Sequence, residues 1–327
     1  MSAPDRHSSV ASGIPTRCQT RSMSSVSPES NATAAANWWT ARAGLDGTVA
    51  IITGGAGGLG EAIVLDLQAN GVHVALVDRD EEATQRISAE LDRRGADAIV
   101  HLGDAREPST LDALFGAAAQ RWGRLDTLVN VVGGTFRGAF ADQTPRAWDA
   151  LIRTNFIHVL HATSMAIPAM RAGARGGSIV NLTTSEGHRA APNFAVYSAA
   201  KAAVIHFSRT MAVELAPERI RVNNVSPDLT PTPNMLGISN DGDSPGMLDP
   251  LNVSVSIPMG RLGVPADIAN SVVFLASGLS SYMTGTTLHP DGGTYAASGW
   301  FNWPEHGFAN MLPENVLAGL RPPPTDG

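Results

Sequence analysis

Seven short apolar runs, most of them followed by a longer segment of helical spacing, constrain this chain more than any other feature of its sequence. They are Val49-Ala50-Ile51-Ile52, Val72-His73-Val74-Ala75-Leu76-Val77, Ala98-Ile99-Val100, Leu125-Asp126-Thr127-Leu128-Val129, Ser178-Ile179-Val180-Asn181-Leu182, Ile220-Arg221-Val222-Asn223-Asn224-Val225 and Thr286-Thr287-Leu288. Strands that are apolar at nearly every position, rather than at alternate ones, must be covered on both faces, as in a parallel sheet between helices. Helical spacing fills residues 60–70, 145–170, 195–215 and 265–276. The alternation predicts an α/β fold, a doubly wound parallel sheet in a single domain over residues 45–295. Residues 1–44, rich in Ser, Ala and Thr with scattered arginines, read as a disordered N-terminal extension. They lack the apolar centre of a secretory signal. Residues 296–327 read as a C-terminal extension with Trp300, Phe301, Trp303 and Phe308.

Composition removes several function classes. The 327 residues carry a formal net charge of -7 without a long Lys/Arg cluster, which argues against nucleic acid or an anionic membrane as the main partner. The lone cysteine, Cys18, cannot form an internal disulfide. No apolar run approaches the roughly 18–20 residues of a membrane span. The expectation is a soluble cytoplasmic protein. His158 and His161 share a helical face, but no third ligand accompanies them, so no metal site is expected.

The first run leads directly into Thr53-Gly54-Gly55-Ala56-Gly57-Gly58-Leu59-Gly60 and then a helix. A glycine-rich turn lets backbone N–H groups approach a pyrophosphate, and the helix N-terminus adds partial positive charge. Asp78 ends the second run, where a carboxylate can accept from ribose hydroxyls and repel a 2′-phosphate. NAD is therefore favoured over NADP, although the adjacent Arg79 could hold a 2′-phosphate. Further on, Tyr197 and Lys201 lie four residues apart and share one helical face. An ammonium beside a phenol favours the phenolate, so the pair suits general acid/base work. Upstream, Asn181-Leu182-Thr183-Thr184-Ser185-Glu186-Gly187 ends a strand with hydroxyls that could polarise a carbonyl.

Taken in order, these motifs resemble the short-chain dehydrogenase/reductase family over most of the chain. The resemblance rests on the turn with Thr53, Gly54, Gly58 and Gly60, on Asp78, on Gly103-Asp104 and on Asn130-Val131-Val132-Gly133. It continues through Asn155 in Thr154-Asn155-Phe156, the Tyr197/Lys201 pair, and the tail from Arg261-Leu262-Gly263 to Asp291-Gly292-Gly293. It implies a Rossmann fold and hydride transfer between a nicotinamide and a secondary alcohol or ketone. Tyr197 would exchange the proton, Lys201 would hold the nicotinamide ribose and lower the Tyr197 pKa, and Asn155 would fix a water. Thirteen residues before Tyr197 stands Thr184 in the family's serine position; Ser185 would substitute only if the loop register shifts. Leu59, Asp104, Ala105, Asn130, Pro227 and Thr232 would complete the cofactor site, with Asp104 at the adenine and Thr232 at the carboxamide. A homodimer or homotetramer is implied by the resemblance alone.

Three departures stand out: Val131-Val132 for the usual Asn-Ala, His289-Pro290-Asp291 in the last strand, and Pro227-Asp228 for the usual Pro-Gly. A carboxylate at Asp228, near the nicotinamide, would favour the positively charged oxidised form. Between residues 227 and 261, Met235, Leu236, Met247, Leu248, Leu251 and Met259 suggest a lid over an apolar substrate. The expected function is NAD-dependent oxidation of an apolar alicyclic alcohol of steroid- or terpenoid-like type. An NADPH-dependent 3-oxoacyl thioester reductase is the alternative, and a non-catalytic nicotinamide sensor the reading from a different class.

Overall fold

Strand β1 (Val49–Thr53) shows why the sheet needs two cores. Ala50 and Ile52 pack into one apolar cluster and Val49 and Ile51 into another, because successive side chains of a strand point to opposite faces. The structure, a computed structural model, describes residues 38–233 and 248–320. It divides into two units, Met1–Trp39 and Thr40–Gly327, and every element named below belongs to the second.

The remaining strands are β2 (His73–Asp78), β3 (Ala98–Leu102), β4 (Thr127–Asn130), β5 (Gly177–Leu182), β6 (Ile220–Val225) and β7 (Thr287–Leu288). They form one parallel sheet in the order β3-β2-β1-β4-β5-β6-β7. Helix α1 (Gly58–Ala69) covers one face, α2 (Glu81–Arg93) covers the same face, and α3 (Pro108–Trp122) the other. The single helix expected over residues 145–170 is instead α4 (Pro145–Ile152), a π-helical turn (Arg153–Ile157) and α5 (His158–Gly173). Helix α6 (Ala195–Leu215) packs on β6. A short α7 (Pro250–Ser256) precedes α8 (Pro265–Ala276), which lies against α1, with Ile63, Val64 and Leu67 meeting Ile268, Val272 and Leu275 in one cluster. After β7 come α9 (Thr294–Ala297), an antiparallel hairpin of β8 (Phe301–Trp303) and β9 (Gly307–Ala309), and α10 (Glu314–Leu320).

The strand order reverses between β1 and β4, and a doubly wound sheet opens a cleft at the carboxyl ends of its strands there. A buried polar ladder fixes those ends in register. Asn130 Nδ2 donates to Asn181 Oδ1 at 2.8 Å, and Asn181 Nδ2 to Ser208 Oγ at 2.9 Å. Ser208 Oγ lies 2.7 Å from Asn224 Oδ1, and Asn224 Nδ2 donates to Thr287 Oγ1 at 3.3 Å. Polar groups buried this deeply need partners, so the ladder ties β4, β5, α6, β6 and β7 together. No described helix is long and apolar enough to cross a membrane.

Candidate active site

The cofactor end of the cleft is built from backbone. Gly54 and Gly58 adopt left-handed φ of 71° and 55°, and Gly60 sits so close to the turn that a Cβ on it would lie 1.9 Å from Gly54 O. Helix α1 starts at Gly57 without a side-chain cap, leaving its first N–H groups to an anion. Thr53 is buried at the end of β1, and its hydroxyl accepts from Val131 N at 3.2 Å. Leu59 lies in the first turn of α1, half-buried against the core. Asp78, at the end of β2, accepts from Ala56 N at 3.0 Å and Asp80 N at 3.2 Å, which sets a carboxylate directly beside the glycine turn. Thr232 reaches over the same turn, its Cγ2 3.3 Å from where a Gly58 Cβ would stand. These features fit a dinucleotide.

Other predicted cofactor residues are turned toward the protein. Asp104 is gripped by Arg106, whose Nε lies 2.9 Å from both carboxylate oxygens and whose hydrogen bonds hold the carboxyl below its ordinary range. Ala105 is buried in the core cluster beneath. Asn130 donates to Asn181, as the first rung of the ladder, and its own Oδ1 finds no protein partner. Val132, one of the departures, packs against Gly54, 3.1 Å from a Cβ position there.

At the catalytic end the π-helical turn positions Asn155. Its Nδ2 takes the Leu151 carbonyl at 2.9 Å and the Gly134 carbonyl at 2.8 Å, while its Oδ1 accepts from Gly134 N at 3.2 Å. The side chain thus substitutes for a helical bond and ties the loop after β4, the kind of local break that recurs at functional sites. Lys201 is buried, donates from Nζ to Leu182 O at 2.9 Å, and is held down to about 8 by burial. Pro227 O accepts from Ser185 N at 3.1 Å, joining the ends of β5 and β6.

The Thr184 loop meets α6 at Gly187, where a Cβ would stand 2.8 Å from Ile205 Cδ1. That close approach sets the buried Thr184 hydroxyl near the Tyr197 phenol, whose pKa it acts to lower. Ser185 Oγ points elsewhere, 3.5 Å from Asp291 Oδ2. Tyr197 is pushed up, by burial first and then by the Glu186 carboxylate. The expected lowering by Lys201 is therefore reversed in the free chain: the ammonium faces the Leu182 carbonyl, and burial outweighs the rest.

Sequence reasoning missed the charged cluster beside Tyr197. Thr184 Oγ1 donates to Glu186 Oε2 in a very short bond. Arg189 lies 3.2 Å from Glu186 Oε1 and 2.8 Å from Asp228 Oδ2, and Thr294 also donates to Asp228. Asp228 is nearly enclosed, and burial followed by Glu186 raises its carboxyl above the usual range. Its charge is paired with Arg189, so it is not free to act on a nicotinamide in the way expected. His289 and Tyr295 stack with their centroids 4.4 Å apart, and His188 meets both rings, edge-on to His289 and tilted against Tyr295. Glu186 stands two residues after Thr184, the one sequence signal that could have found it. Among the described residues no group of three His, Cys, Asp or Glu could hold a metal ion; His158 is buried at the start of α5 and pushed down to about 3 by burial and Lys201.

Of the expected lid, Met235, Leu236 and Met247 lie outside the described residues. Leu248, Leu251 and Met259 are exposed. A shallow apolar hollow of about 430 Å³ lies between Pro258, α9, Trp300 and the hairpin residue Phe308. Thr294, which bonds Asp228, begins α9, so that helix links the hollow to the charged cluster.

Comparison with known proteins agrees with this geometry. Residues 54–295 match the family model described as enoyl-(acyl carrier protein) reductase. The chain is 33% identical over 251 residues to a 3-oxoacyl-[acyl-carrier-protein] reductase of Haemophilus influenzae, covering 77% of this chain and 99% of the relative. It is 34% identical over 249 residues to a 2,5-dichloro-2,5-cyclohexadiene-1,4-diol dehydrogenase of Sphingobium indicum, covering 76% and 96%. A crystal structure of a 3-ketoacyl-(acyl-carrier-protein) reductase from Brucella melitensis complexed with NADH superposes with a TM-score of 0.69 at 31% identity, covering 77% of this chain and 99% of the other. With the parallel sheet, the glycine turn and the matched model in agreement, this chain belongs to the short-chain dehydrogenase/reductase family, oxidoreductases that use a nicotinamide cofactor on CH–OH or keto groups.

Proposed function

We propose that the chain transfers a hydride between NAD(H) and a secondary alcohol or ketone on an apolar, alicyclic skeleton. The observation that carries this reading is the Tyr197 phenol near the buried Thr184 hydroxyl at the end of β5, on the same helix as the buried Lys201 and one turn before it. The bound nicotinamide supplies the hydride acceptor or donor. Tyr197 takes the hydroxyl proton of an alcohol or returns it to a ketone, and Thr184 fixes the oxygen that changes charge. Asn155 ties the loop after β4, and Lys201 would bind the nicotinamide ribose and, once its ammonium turns from Leu182 O, favour the phenolate.

Asp78 supports NAD over NADP, since its carboxylate beside Ala56 N occupies the place where a 2′-phosphate would be repelled. Gly54, Gly58, Leu59 and Gly60 would cradle the pyrophosphate, with Thr53, Asp104, Ala105, Asn130, Pro227 and Thr232 around the rest of the nucleotide. The cyclohexadiene-diol dehydrogenase relative and the apolar hollow beside α9 support an alicyclic substrate. The 3-oxoacyl relatives favour a thioester, yet a net charge of -7 suits an acidic carrier protein poorly.

The test is a fluorescence screen for NADH and NADPH formation across alicyclic, steroid and linear secondary alcohols, with acetoacetyl thioester reduction as a parallel arm. Turnover of alicyclic alcohols with NAD is expected. Activity confined to the thioester with NADPH would replace this reading by the alternative.

A further inference from the structure

A hydroxyl has one proton, and in this pocket Thr184 gives its proton to Glu186. The Glu186 carboxylate is held in that position from its other side by Arg189, 3.2 Å from Oε1. Arg189 is anchored in turn by Asp228, 2.8 Å away, and Asp228 by Thr294. The chain from Thr294 to Thr184 therefore runs from the start of α9 through the loops after β6 and β5 and ends on the residue that would touch the substrate oxygen. With its proton directed at Glu186, Thr184 can offer only lone pairs to the cleft. A ketone oxygen is an acceptor and gains nothing from a second acceptor; an alcohol carries a donor.

We propose that Glu186 is a positioning residue that takes the hydroxyl proton of Thr184, so that the pocket preferentially binds the alcohol partner of the reaction over the ketone. The inference rests on the reading of Tyr197 and Thr184 as the groups that meet the substrate oxygen. The electrostatics point the same way. Glu186 from the loop after β5 and Asp228 from the loop after β6 act on Tyr197, Arg189 pairs with both of them, and Lys201 on the same helix is turned to Leu182 O. Glu186 and Asp228 raise the phenol, so two carboxylates favour its protonated form. Glu186→Gln leaves the loop nearly isosteric but supplies an amide that can donate to Thr184 Oγ1, which frees the Thr184 proton to turn into the cleft.

Haldane constraints fix the ratio of forward to reverse efficiencies, so the experiment reads binding in complexes that cannot react. Cyclohexanol is titrated into the full-length protein loaded with NADH, and cyclohexanone into the protein loaded with NAD, each followed by protein or NADH fluorescence. In wild type cyclohexanol binds more tightly. In Glu186→Gln the ketone-to-alcohol ratio of dissociation constants falls about tenfold, the scale of one hydrogen bond gained on one side and one lost on the other. Glu186→Ala shows a smaller fall in the same direction, which covers the case in which the Gln variant does not fold. In a Thr184→Val background, Glu186→Gln no longer changes the ratio. A purely structural Glu186 would weaken both ligands together with the ratio unchanged, and that result overturns the proposal. Tyr197→Phe keeps the ratio shift, so failure of the catalytic reading, shown by turnover retained in that variant, is separable from failure of this one.

Discussion

The two ends of the cleft are made of different material. Around β1 the surface offered to a ligand is backbone: a turn with two left-handed glycines, a third glycine against Gly54 O, and an uncapped helix start. Around β5 and β6 it is side chains that meet from segments far apart in the chain, Thr184 and Glu186 with Arg189, Asp228 and Thr294. A backbone cradle suits a constant ligand, since its geometry is set by a few glycines. A side-chain cluster can be rewritten one residue at a time, and specificity belongs there.

The comparison is broken most severely by filling the cradle. Gly60→Val forces carbon into the Gly54 carbonyl, and we expect a loss of at least about 3 kcal/mol in urea unfolding together with loss of measurable NADH binding. Wild-type NADH affinity in that variant would mean that the turn is not the pyrophosphate site.

Next in size is the buried ammonium. The folded chain holds Lys201 near 8, against 10.5 for an unperturbed lysine. Between those values the unfolded state binds more protons, so stability climbs with pH; below about 8 the penalty is fully present and flat. Tyr197, raised by burial, acts in the opposite sense above pH 10, which limits the useful window to pH 8–10. Across it wild type should gain about 2 kcal/mol relative to Lys201→Met, following about 1.4 kcal/mol per pH unit. Parallel pH dependence of the two proteins would place the ammonium in solvent.

Much of the cofactor end was legible in the sequence because it is local. Thr53 to Gly60 is one unbroken stretch, and Asp78 follows at the end of the next strand, so spacing alone carries the argument. The helix boundaries 195–215 and 265–276 could be read for the same reason, since each helix keeps its apolar spacing to the end. The break at Arg153–Ile157 was hidden because Asn155 replaces a backbone hydrogen bond with a side-chain one, which leaves hydrophobic periodicity intact. The Arg189 pairs were hidden for a different reason. Glu186 and Asp228 are 42 residues apart and meet only because β5 and β6 are neighbours.

The ladder beneath both ends gives a smaller effect. Ser208→Ala removes its central rung and leaves the Asn181 and Asn224 amides short of a partner, which should cost about 1–3 kcal/mol in denaturant unfolding with little change in KM. A changed KM with unchanged stability would show that the ladder tunes the site rather than supports it. Smallest is Asp78→Asn, expected to shift the ratio of NAD to NADP affinity about tenfold toward NADP, the scale of one charge contact. An unchanged ratio would remove Asp78 from cofactor choice.

The central claim is that the chain moves a proton through Tyr197 while a backbone cradle holds the nucleotide. Tyr197→Phe separates the two functions in one comparison of NADH affinity and turnover of the best alcohol. NADH affinity is expected within about twofold of wild type and turnover lower by about a thousandfold, within the range of general acid/base catalysis. Turnover near the wild-type value would contradict it.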